Sequence, residues 1–199
     1  MAIHRMKELR DMSLTELWEL FPIILKDHNS EYGMWYEEEC ASLLENLRDF
    51  DVFRVNHIGS TAVKGLLAKP TIDILLEFNE GYDKKAITQK LLENGWLVMA
   101  DNDQEQTIDL NKGYTINGFA ERVFHLHIKP VDDHGELYFR DYLREHSDVA
   151  KEYGELKLIL KNKFEHDRDA YTLAKKDFVE KYTSKARIEF KGRYEPKGV

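Results

Sequence analysis

Residues 57–78 read HIGSTAVKGLLAKPTIDILLEF, and this stretch predicts a strand, a Gly-Ser turn, a short helix and a second strand, because its apolar pattern changes at each Gly and Pro. Gly59 permits a tight bend, and Ser60 is positioned to cap a helix that opens at Thr61. Backbone N–H groups at such a helix start suit a phosphate. The turn therefore predicts a phosphate site at Gly59, Ser60 and Thr61, the plainer alternative being a turn that only connects two strands.

The second strand of this stretch has two chemically different faces. Side chains on a strand alternate, so Asp73, Leu75 and Glu77 share one face. We expect this face to look back toward the Gly-Ser turn, although a single strand Asp can also be an ordinary surface residue. The other face is apolar and is expected to enter the core. It consists of Ile72, Ile74, Leu76 and Phe78.

Residues 122–129 predict another strand of the same kind, with His125 and His127 on one face. Its apolar face consists of Phe124, Leu126 and Ile128. If the two strands are neighbours, their polar faces gather Asp73, Glu77, His125 and His127. Imidazole and carboxylate ligands suit Mn, Zn or Fe better than Ca, whereas a carboxylate-dominated pair with phosphate suits Mg. The alternative is that both histidines are half-buried sheet residues bonded to their neighbours.

The composition narrows the class of protein. The chain has 199 residues, with 29 basic and 37 acidic side chains and a net charge of −8, so bulk nucleic-acid binding is not expected. Cys40 is the only cysteine and is expected to be a buried thiol. The first residues show no apolar leader, and no apolar run reaches the length of a membrane span. We expect a cytoplasmic protein with no membrane association; the oligomeric state stays open.

The periodicity predicts one domain over residues 1–199, with a sheet-containing core at 20–135, a helical part at 136–182 and a frayed tail at 183–199. The fold class is α+β (α/β). The further predicted elements are a helix within residues 1–19 capped by Ser13, a strand at 21–25, a helix at 34–49, strands at 52–58, 96–100 and 106–111, and helices at 84–94, 148–164, capped by Ser147, and 167–182.

The helical part repeats one arrangement of cationic and aromatic side chains. Residues four apart share a helix face, and such pairs usually lie on a solvated surface. Opposite an Asp/His face they could instead contact a phosphorylated or carboxylate ligand. The pairs are Arg140 with Arg144, Tyr153 with Lys157, and Tyr171 with Lys175.

Four motifs together resemble the GrpB family over about residues 20–182. They are HIGSTAVKGLLAKPTIDIL (57–75), ERVFHLH (121–127), FRDYLREHSDVAKEYGELK (139–157) and DRDAYTLAKKDF (167–178). Lys64 stands where many relatives carry Pro, a change expected to affect only loop stiffness.

The resemblance implies a nucleotidyltransferase-like, polymerase-β-like fold, here a mixed β-sheet flanked by helices. In that superfamily, an apolar-Gly-Gly/Ser element is followed by two carboxylates one residue apart, which hold metal ions that orient a triphosphate. Leu75 occupies the second carboxylate position, which puts ordinary two-metal transfer in doubt. The residues that match the pattern are Ile58, Gly59, Ser60, Asp73 and Ile74.

Two interpretations follow for the function. The first is nucleotidyl or phosphoryl transfer with an unknown acceptor, in which Asp73 is catalytic and a divalent metal, Mg or Mn with Zn as a further candidate, is held by Asp73, His125 and His127. The second is a non-catalytic ligand-binding or regulatory module with a degenerate metal site; metal-assisted hydrolysis is a third option. In each, the partner is a small nucleotide or phosphorylated ligand. The residues expected to bind phosphate or nucleotide are Gly59, Ser60, Thr61, Lys69, Arg122, Arg140, Arg144 and Lys157.

Overall fold

A computed structural model describes residues 8–196 as a mixed five-stranded sheet flanked by helices. The strands are β1 (Val52–Ile58), β2 (Ile72–Phe78), β3 (Leu97–Asn102), β4 (Thr107–Thr115) and β5 (Gly118–Pro130). The helices are α1 (Leu14–Leu20), α2 (Tyr32–Asn46), α3 (Lys84–Glu93), α4 (Gly135–Glu145), α5 (Ser147–Phe164), α6 (Arg168–Leu173) and α7 (Lys176–Glu189). The expected mixed sheet with helices on its flanks, and the helical C-terminal part, are confirmed.

The order of the strands across the sheet is β1-β2-β5-β4-β3. β2 and β5 run parallel, whereas the other neighbours are antiparallel. In the β2–β5 register, Asp73 lies opposite His125 and Leu75 opposite His127. On the other side of β5, β4 places Asp109 opposite His127. The Asp73 strand and the histidine strand are thus neighbours, which is the condition under which the sequence gathered their polar faces.

The apolar faces of the strands form the main core together with α2 and α3. Ile72, Ile74 and Leu126 are all fully buried there. Trp35 and Leu43 of α2 and the α3 side chains Ile87 and Leu91 pack on the same cluster. The inward faces that the alternation of side chains predicted for these strands are confirmed.

The opposite face of the sheet is covered near β1 and β2 by the C-terminal helices. Leu75 is fully buried and packs with Ile58 and with Leu137 of α4. A second apolar cluster joins α4, α5 and α7 to the segment after β1, through Val63 and Leu66. The polar residues of β2, β4 and β5 therefore lie beside these helices.

Several sequence-based boundaries were wrong. Residues 21–25 form no strand; the segment buries the side chains of Phe21 and Ile23, and the next residue, Lys26, forms an isolated bridge with Ala68. The predicted helix at 167–182 is two helices, α6 and α7. Ser13 caps α1 in a capping box, whereas Ser147 is the first residue of α5 and does not cap it.

The tail after residue 182 was also predicted wrongly. α7 continues to Glu189, and Phe190 is buried. The Tyr194 hydroxyl accepts a hydrogen bond from Arg140 at 2.9 Å, and the Tyr194 carbonyl accepts one from Arg54 at 3.2 Å. The segment is ordered because its aromatic side chains complete the packing on α4. Residues 1–7 and 197–199 lie outside the described part of the chain.

Cys40 is half-buried, not fully buried as predicted. None of the helices within residues 8–196 is long and apolar enough to cross a membrane.

Glu77 does not join the Asp73 face as a metal ligand. Its side chain is fully buried and forms an ion pair with Arg54, which donates to Glu77 Oε1 at 2.8 Å and also contacts Oε2. The Asp132 backbone N–H also lies 3.5 Å from Glu77 Oε1. Glu77 is held by these groups two strand repeats, about 13 Å, away from Asp73, so its role is structural.

We expect Glu77→Ala to destabilise the protein by about 3–5 kcal/mol, because removal of one partner leaves the other charge buried and unpaired. Urea unfolding measures this. Glu45→Ala is the matched control, since the Arg48–Glu45 pair is exposed and its loss should cost under about 1 kcal/mol. Equal losses in the two variants would contradict a buried structural pair.

Candidate functional site

The Asp73 carboxylate lies between the two histidines of β5. His125 Nδ1 is 3.1 Å and His127 Nε2 is 3.9 Å from Asp73 Oδ1. One ligand atom from each of the three residues can be chosen so that all lie within 4.8 Å of one another. The side chains are partly accessible, with 27% of Asp73 and 29% of His127 exposed. The predicted set Asp73, His125 and His127 is brought together at a spacing that fits one metal ion.

His127 is held between two carboxylates. Its Nδ1 lies 2.7 Å from Asp109 Oδ1, while Nε2 faces Asp73. Burial lowers the pKa of His127, but the hydrogen bonds and charges of Asp109 and Asp73 outweigh that effect and raise it to about 9. Burial also raises the pKa of Asp73, and the two histidines reverse this and hold it far below its usual range. The site is thus a charged Asp–His–Asp array.

His125 has a different environment from His127. The Tyr114 hydroxyl lies 2.8 Å from His125 Nε2, and Arg168 lies 2.8 Å from that hydroxyl and 3.2 Å from the same nitrogen. Burial lowers the pKa of His125, only partly offset by Asp73, and the charges of Lys69 and Arg168 lower it further. Because Arg168 can only donate, Nε2 of neutral His125 accepts and Nδ1–H donates to Asp73.

Three lysines surround this acidic centre. The pKa of Lys69 and of Lys157 is lowered to about 7, and that of Lys175 to about 8. Burial is the largest cause of each shift, neighbouring cations contribute to it, and the negative charge of Asp73 opposes it. Lys157 and Lys175 also lie over the rings of Tyr153 and Tyr171, at 4.6 and 4.4 Å. The predicted i,i+4 pairs thus place two of the cations.

The Gly-Ser turn adjoins the lysines but differs from the predicted helix start. Ser60–Ala62 is a three-residue 3₁₀ turn without a side-chain cap, so Ser60 does not cap a helix as expected. Ser60 Oγ instead accepts from Lys157 at 2.9 Å. The Thr61 side chain is buried and donates to the Thr71 carbonyl at 3.0 Å, which makes that hydroxyl structural.

Gly59 is required at the turn for two reasons. Its φ is +71°, and a Cβ built on it would lie 2.3 Å from Asp73 Oδ2. The first value favours glycine, and the second shows that the backbone of the turn directly contacts the Asp73 carboxylate. The turn and the acidic centre therefore form one site.

Not all predicted arginines reach this site. Arg122 lies on the α2 side of the sheet, over the Trp35 ring and paired with Glu38, because even-numbered residues of β5 point away from the histidines. Arg140 is buried and donates to Asn56 Oδ1, the His57 carbonyl and the Tyr194 hydroxyl. The phosphate-binding roles predicted for Arg122 and Arg140 are therefore wrong, and both side chains have structural roles.

Arg144 occupies the edge of the site. It donates to the Ala62 carbonyl at 3.0 Å, and its charge is among those that lower the pKa of His57, after burial, to about 4. Its side chain is 43% exposed, so it is available beside the turn.

Four residues of the site were missed as site residues from the sequence. Asp109 and Tyr114 belong to β4. The alternation of side chains along this strand placed Asp109 on a polar face but could not show that His127 of β5 lies next to it. Arg168 begins α6, and Lys175 follows that helix as one of the i,i+4 cations. Strand order was the missing information for Asp109, because only the β4–β5 pairing sets it against His127.

Comparisons with known proteins agree with the sequence motifs. Residues 22–185 match the family described as GrpB protein. A UPF0157 protein of Pseudomonas aeruginosa is 38% identical over 133 residues, which cover 66% of this chain and 54% of the relative; the chain therefore spans about half the length of that protein.

Two solved structures align with this chain. Conserved protein GrpB from Enterococcus faecalis is 29% identical, with a TM-score of 0.71 over 84% of this chain and 99% of that chain. A Cid1 poly(U) polymerase mutant bound to MgATP aligns at 13% identity and a TM-score of 0.48, over 73% of this chain and 48% of that chain.

Gly59→Ala and Gly65→Ala form a matched pair. Both positions have positive φ, but a Cβ at Gly65 meets nothing within 4 Å. We expect Gly65→Ala to lose about 1–2 kcal/mol of unfolding free energy from backbone strain alone. Gly59→Ala should lose more unfolding free energy than Gly65→Ala. It should also lower the pKa of His127, because the new Cβ displaces the Asp73 carboxylate. Urea unfolding and histidine NMR measure these effects; equal losses with an unchanged His127 would contradict the contact.

The pKa of His127 predicts how stability depends on pH. Because the folded pKa is raised to about 9 from an ordinary value of about 6.5, its stabilisation is complete below pH 6.5 and is lost as the pH rises through 9. We expect the wild-type chain to lose roughly 2 kcal/mol relative to His127→Gln across this interval. Urea unfolding at both ends of the interval tests this, and parallel pH profiles would contradict the assignment.

Proposed function

The chain belongs to the GrpB family, and we propose that its Asp73 site binds a divalent metal together with a nucleotide or another phosphorylated ligand, as a nucleotidyl- or phosphoryl-transfer protein does. The observation that carries this proposal is the ring of cations, Lys69, Lys157, Lys175 and Arg168, around an acidic and imidazole-rich centre. The main apolar core lies on the other face of the sheet.

The cations favour a ligand with several negative charges. Burial is the largest cause of the lowered pKa values of Lys69, Lys157 and Lys175, and the like charges nearby lower them as well. A polyanion would relieve that repulsion and keep all three lysines protonated. Asp73 is the carboxylate whose charge raises the pKa of all three lysines, and one such charge does not balance them, so a phosphorylated ligand suits the site better than a neutral one.

A cavity beside the cations has room for the rest of a nucleotide. It measures about 490 Å³, and Lys69 and Arg168 border it. Its wall includes the aromatic side chains of Phe21, Trp35 and Tyr114. Aromatic faces stack on planar bases, which supports a nucleotide over inorganic phosphate.

The donor set favours Mn or Zn over Mg. Asp73 supplies an oxygen, while His125 and His127 supply nitrogens, and imidazole nitrogen suits Mn and Zn, whereas Mg prefers oxygen. When bound, such a metal would neutralise phosphate charge and polarise a phosphoryl oxygen. Asp109 would orient the His127 imidazole from behind, since it contacts the ring nitrogen that faces away from Asp73. Tyr114 contacts the corresponding nitrogen of His125, whose Nδ1 would have to lose its hydrogen to bind the ion.

One observation favours the non-catalytic alternative. Leu75 is fully buried among apolar side chains, so the position of the second carboxylate in the superfamily pattern faces a core. Asp109 lies nearby but is bonded to His127 at 2.7 Å. A site with one directly available carboxylate can bind an anion through its cations without supporting nucleotidyl or phosphoryl transfer. Whether ligand binding depends on a metal ion therefore distinguishes the transfer protein from the non-catalytic module.

We expect ATP to bind the wild-type chain at least about tenfold more tightly when MnCl2 is present. Asp73→Asn should remove the Mn²⁺ effect, because the amide loses the charge that holds the ion. Lys175→Gln should weaken ATP about tenfold with or without Mn²⁺, through one lost charge-assisted contact. Isothermal titration calorimetry measures the ATP affinity of the wild type and of both variants, each with and without Mn²⁺.

The controls are Asp177→Asn and Lys90→Gln, which alter exposed residues on α7 and α3 and should bind ATP as the wild type does. ATP binding that ignores Mn²⁺ but depends on Lys175 would favour the non-catalytic module. A wild-type chain that binds neither Mn²⁺ nor ATP would contradict the site assignment.

A further inference from the structure

Arg168 stands at one end of a series of hydrogen bonds that crosses the His125 ring. Its guanidinium lies 2.8 Å from the Tyr114 hydroxyl and 3.2 Å from His125 Nε2. The same hydroxyl lies 2.8 Å from His125 Nε2. On the opposite side of the ring, Nδ1 lies 3.1 Å from Asp73 Oδ1. Arg168 is therefore connected to the Asp73 carboxylate through Tyr114 and His125.

The donors and acceptors of this series allow one direction. A guanidinium has no acceptor atom, so Arg168 donates to the Tyr114 oxygen. The hydroxyl hydrogen of Tyr114 cannot point at another donor, so it points at His125 Nε2. Because Nε2 accepts, neutral His125 carries its hydrogen on Nδ1 and donates it to Asp73.

A metal ion needs the opposite arrangement of the hydrogen on His125. Nδ1 is the ring nitrogen that faces Asp73, so an ion held by both residues must use the Nδ1 lone pair. The hydrogen of the neutral ring then lies on Nε2, which becomes a donor. The Tyr114 hydroxyl can turn and accept from Nε2, but Arg168 cannot accept. In its present position, Arg168 therefore stabilises the form of His125 that does not bind the ion.

Arg168 has partners here that are weak for a guanidinium. Both Tyr114 and the neutral His125 are uncharged, whereas a phosphate oxygen would form charge-assisted bonds that are roughly twice as strong. Arg168 also borders the cavity of about 490 Å³ that we assign to the nucleotide. A phosphorylated ligand in that cavity would therefore draw the guanidinium away from His125.

We propose that Arg168 couples the two ligands of the Asp73 site: a phosphate group draws Arg168 away from His125, which then becomes able to bind the metal ion. The two ligands consequently bind cooperatively, and each raises the affinity for the other by the same factor. This coupling rests on the proposed function, since it needs both a metal ion and a phosphorylated ligand. Arg168 is a positioning residue in this scheme, because it acts on the ion through His125.

The first test measures Mn²⁺ affinity without a nucleotide, by isothermal titration calorimetry on the whole chain. Arg168→Met removes the donor that opposes the metal-binding form of His125, so it should bind Mn²⁺ about tenfold more tightly than the wild type. Lys69→Gln is the matched control. The charges of Lys69 and Arg168 both lower the pKa of His125, but the hydrogen bond to its ring comes from Arg168. Equal gains in the two variants would indicate an effect of charge alone and would overturn the proposal.

The second test measures the coupling itself. Saturating ATP should raise the Mn²⁺ affinity of the wild type at least about tenfold. The factor should be about tenfold smaller in Arg168→Met, whose His125 is already released, and should persist in Lys69→Gln. Binding of Mn²⁺ by ATP itself is common to all three proteins. An unchanged factor in Arg168→Met would therefore contradict the role of Arg168.

Tyr114→Phe provides a variant that retains Arg168. It removes the acceptor for the Nε2 hydrogen, so it should weaken Mn²⁺ binding in the presence of ATP about tenfold. Unchanged binding would contradict the required acceptor.

Histidine NMR of the wild type gives a check that needs no variant. His125 should carry its hydrogen on Nδ1 before Mn²⁺ is added, and a hydrogen on Nε2 would overturn the proposal. If the wild type binds neither Mn²⁺ nor ATP, the proposed function and this inference both fail. If it binds both ligands but Arg168→Met behaves as Lys69→Gln does, this inference alone fails.

Discussion

The parallel pairing of β2 with β5 is the constraint on which the site depends. It sets Asp73 opposite His125 and so brings a carboxylate and two imidazoles from distant parts of the chain to one face of the sheet. β4 then adds Asp109 on the far side of β5. A shift of one residue in this register would turn the polar residues into the core, so the buried apolar face fixes the chemistry of the exposed one.

The electrostatics of the site follow from this arrangement. Negative groups gather on the strands, and positive groups come from the turn before β2 and from α5 and the α6–α7 region. Lys157 links the two halves through Ser60, while Gly59 brings the backbone of the turn against Asp73. Each charge is partly removed from water, so each group depends on its neighbours for its protonation state. Such a balance responds strongly to an added cation or anion.

The C-terminal helices have two functions in the structure. They bury the apolar part of the sheet face that the acidic centre leaves free, where Leu75 packs on Leu137. They also deliver Lys157, Lys175 and Arg168 to the site. The segment after α7 strengthens this packing through Tyr194, which is bonded to Arg140. The arginine that the sequence suggested for phosphate therefore holds the protein's own C-terminal segment.

The sequence by itself determined the alternating faces of β2 and β5 and the family, because strand periodicity and local motifs are encoded over a few residues. It named Asp73, His125 and His127 as one set only on the condition that the two strands are neighbours, which the tertiary structure meets. Tertiary structure alone decided that Asp109 joins His127, that Arg122 points to the opposite face, and which cations surround the centre. These outcomes depend on strand order and on the docking of distant helices. Neither leaves a periodic signal along the chain, since contacts between distant residues are fixed only when the whole core packs.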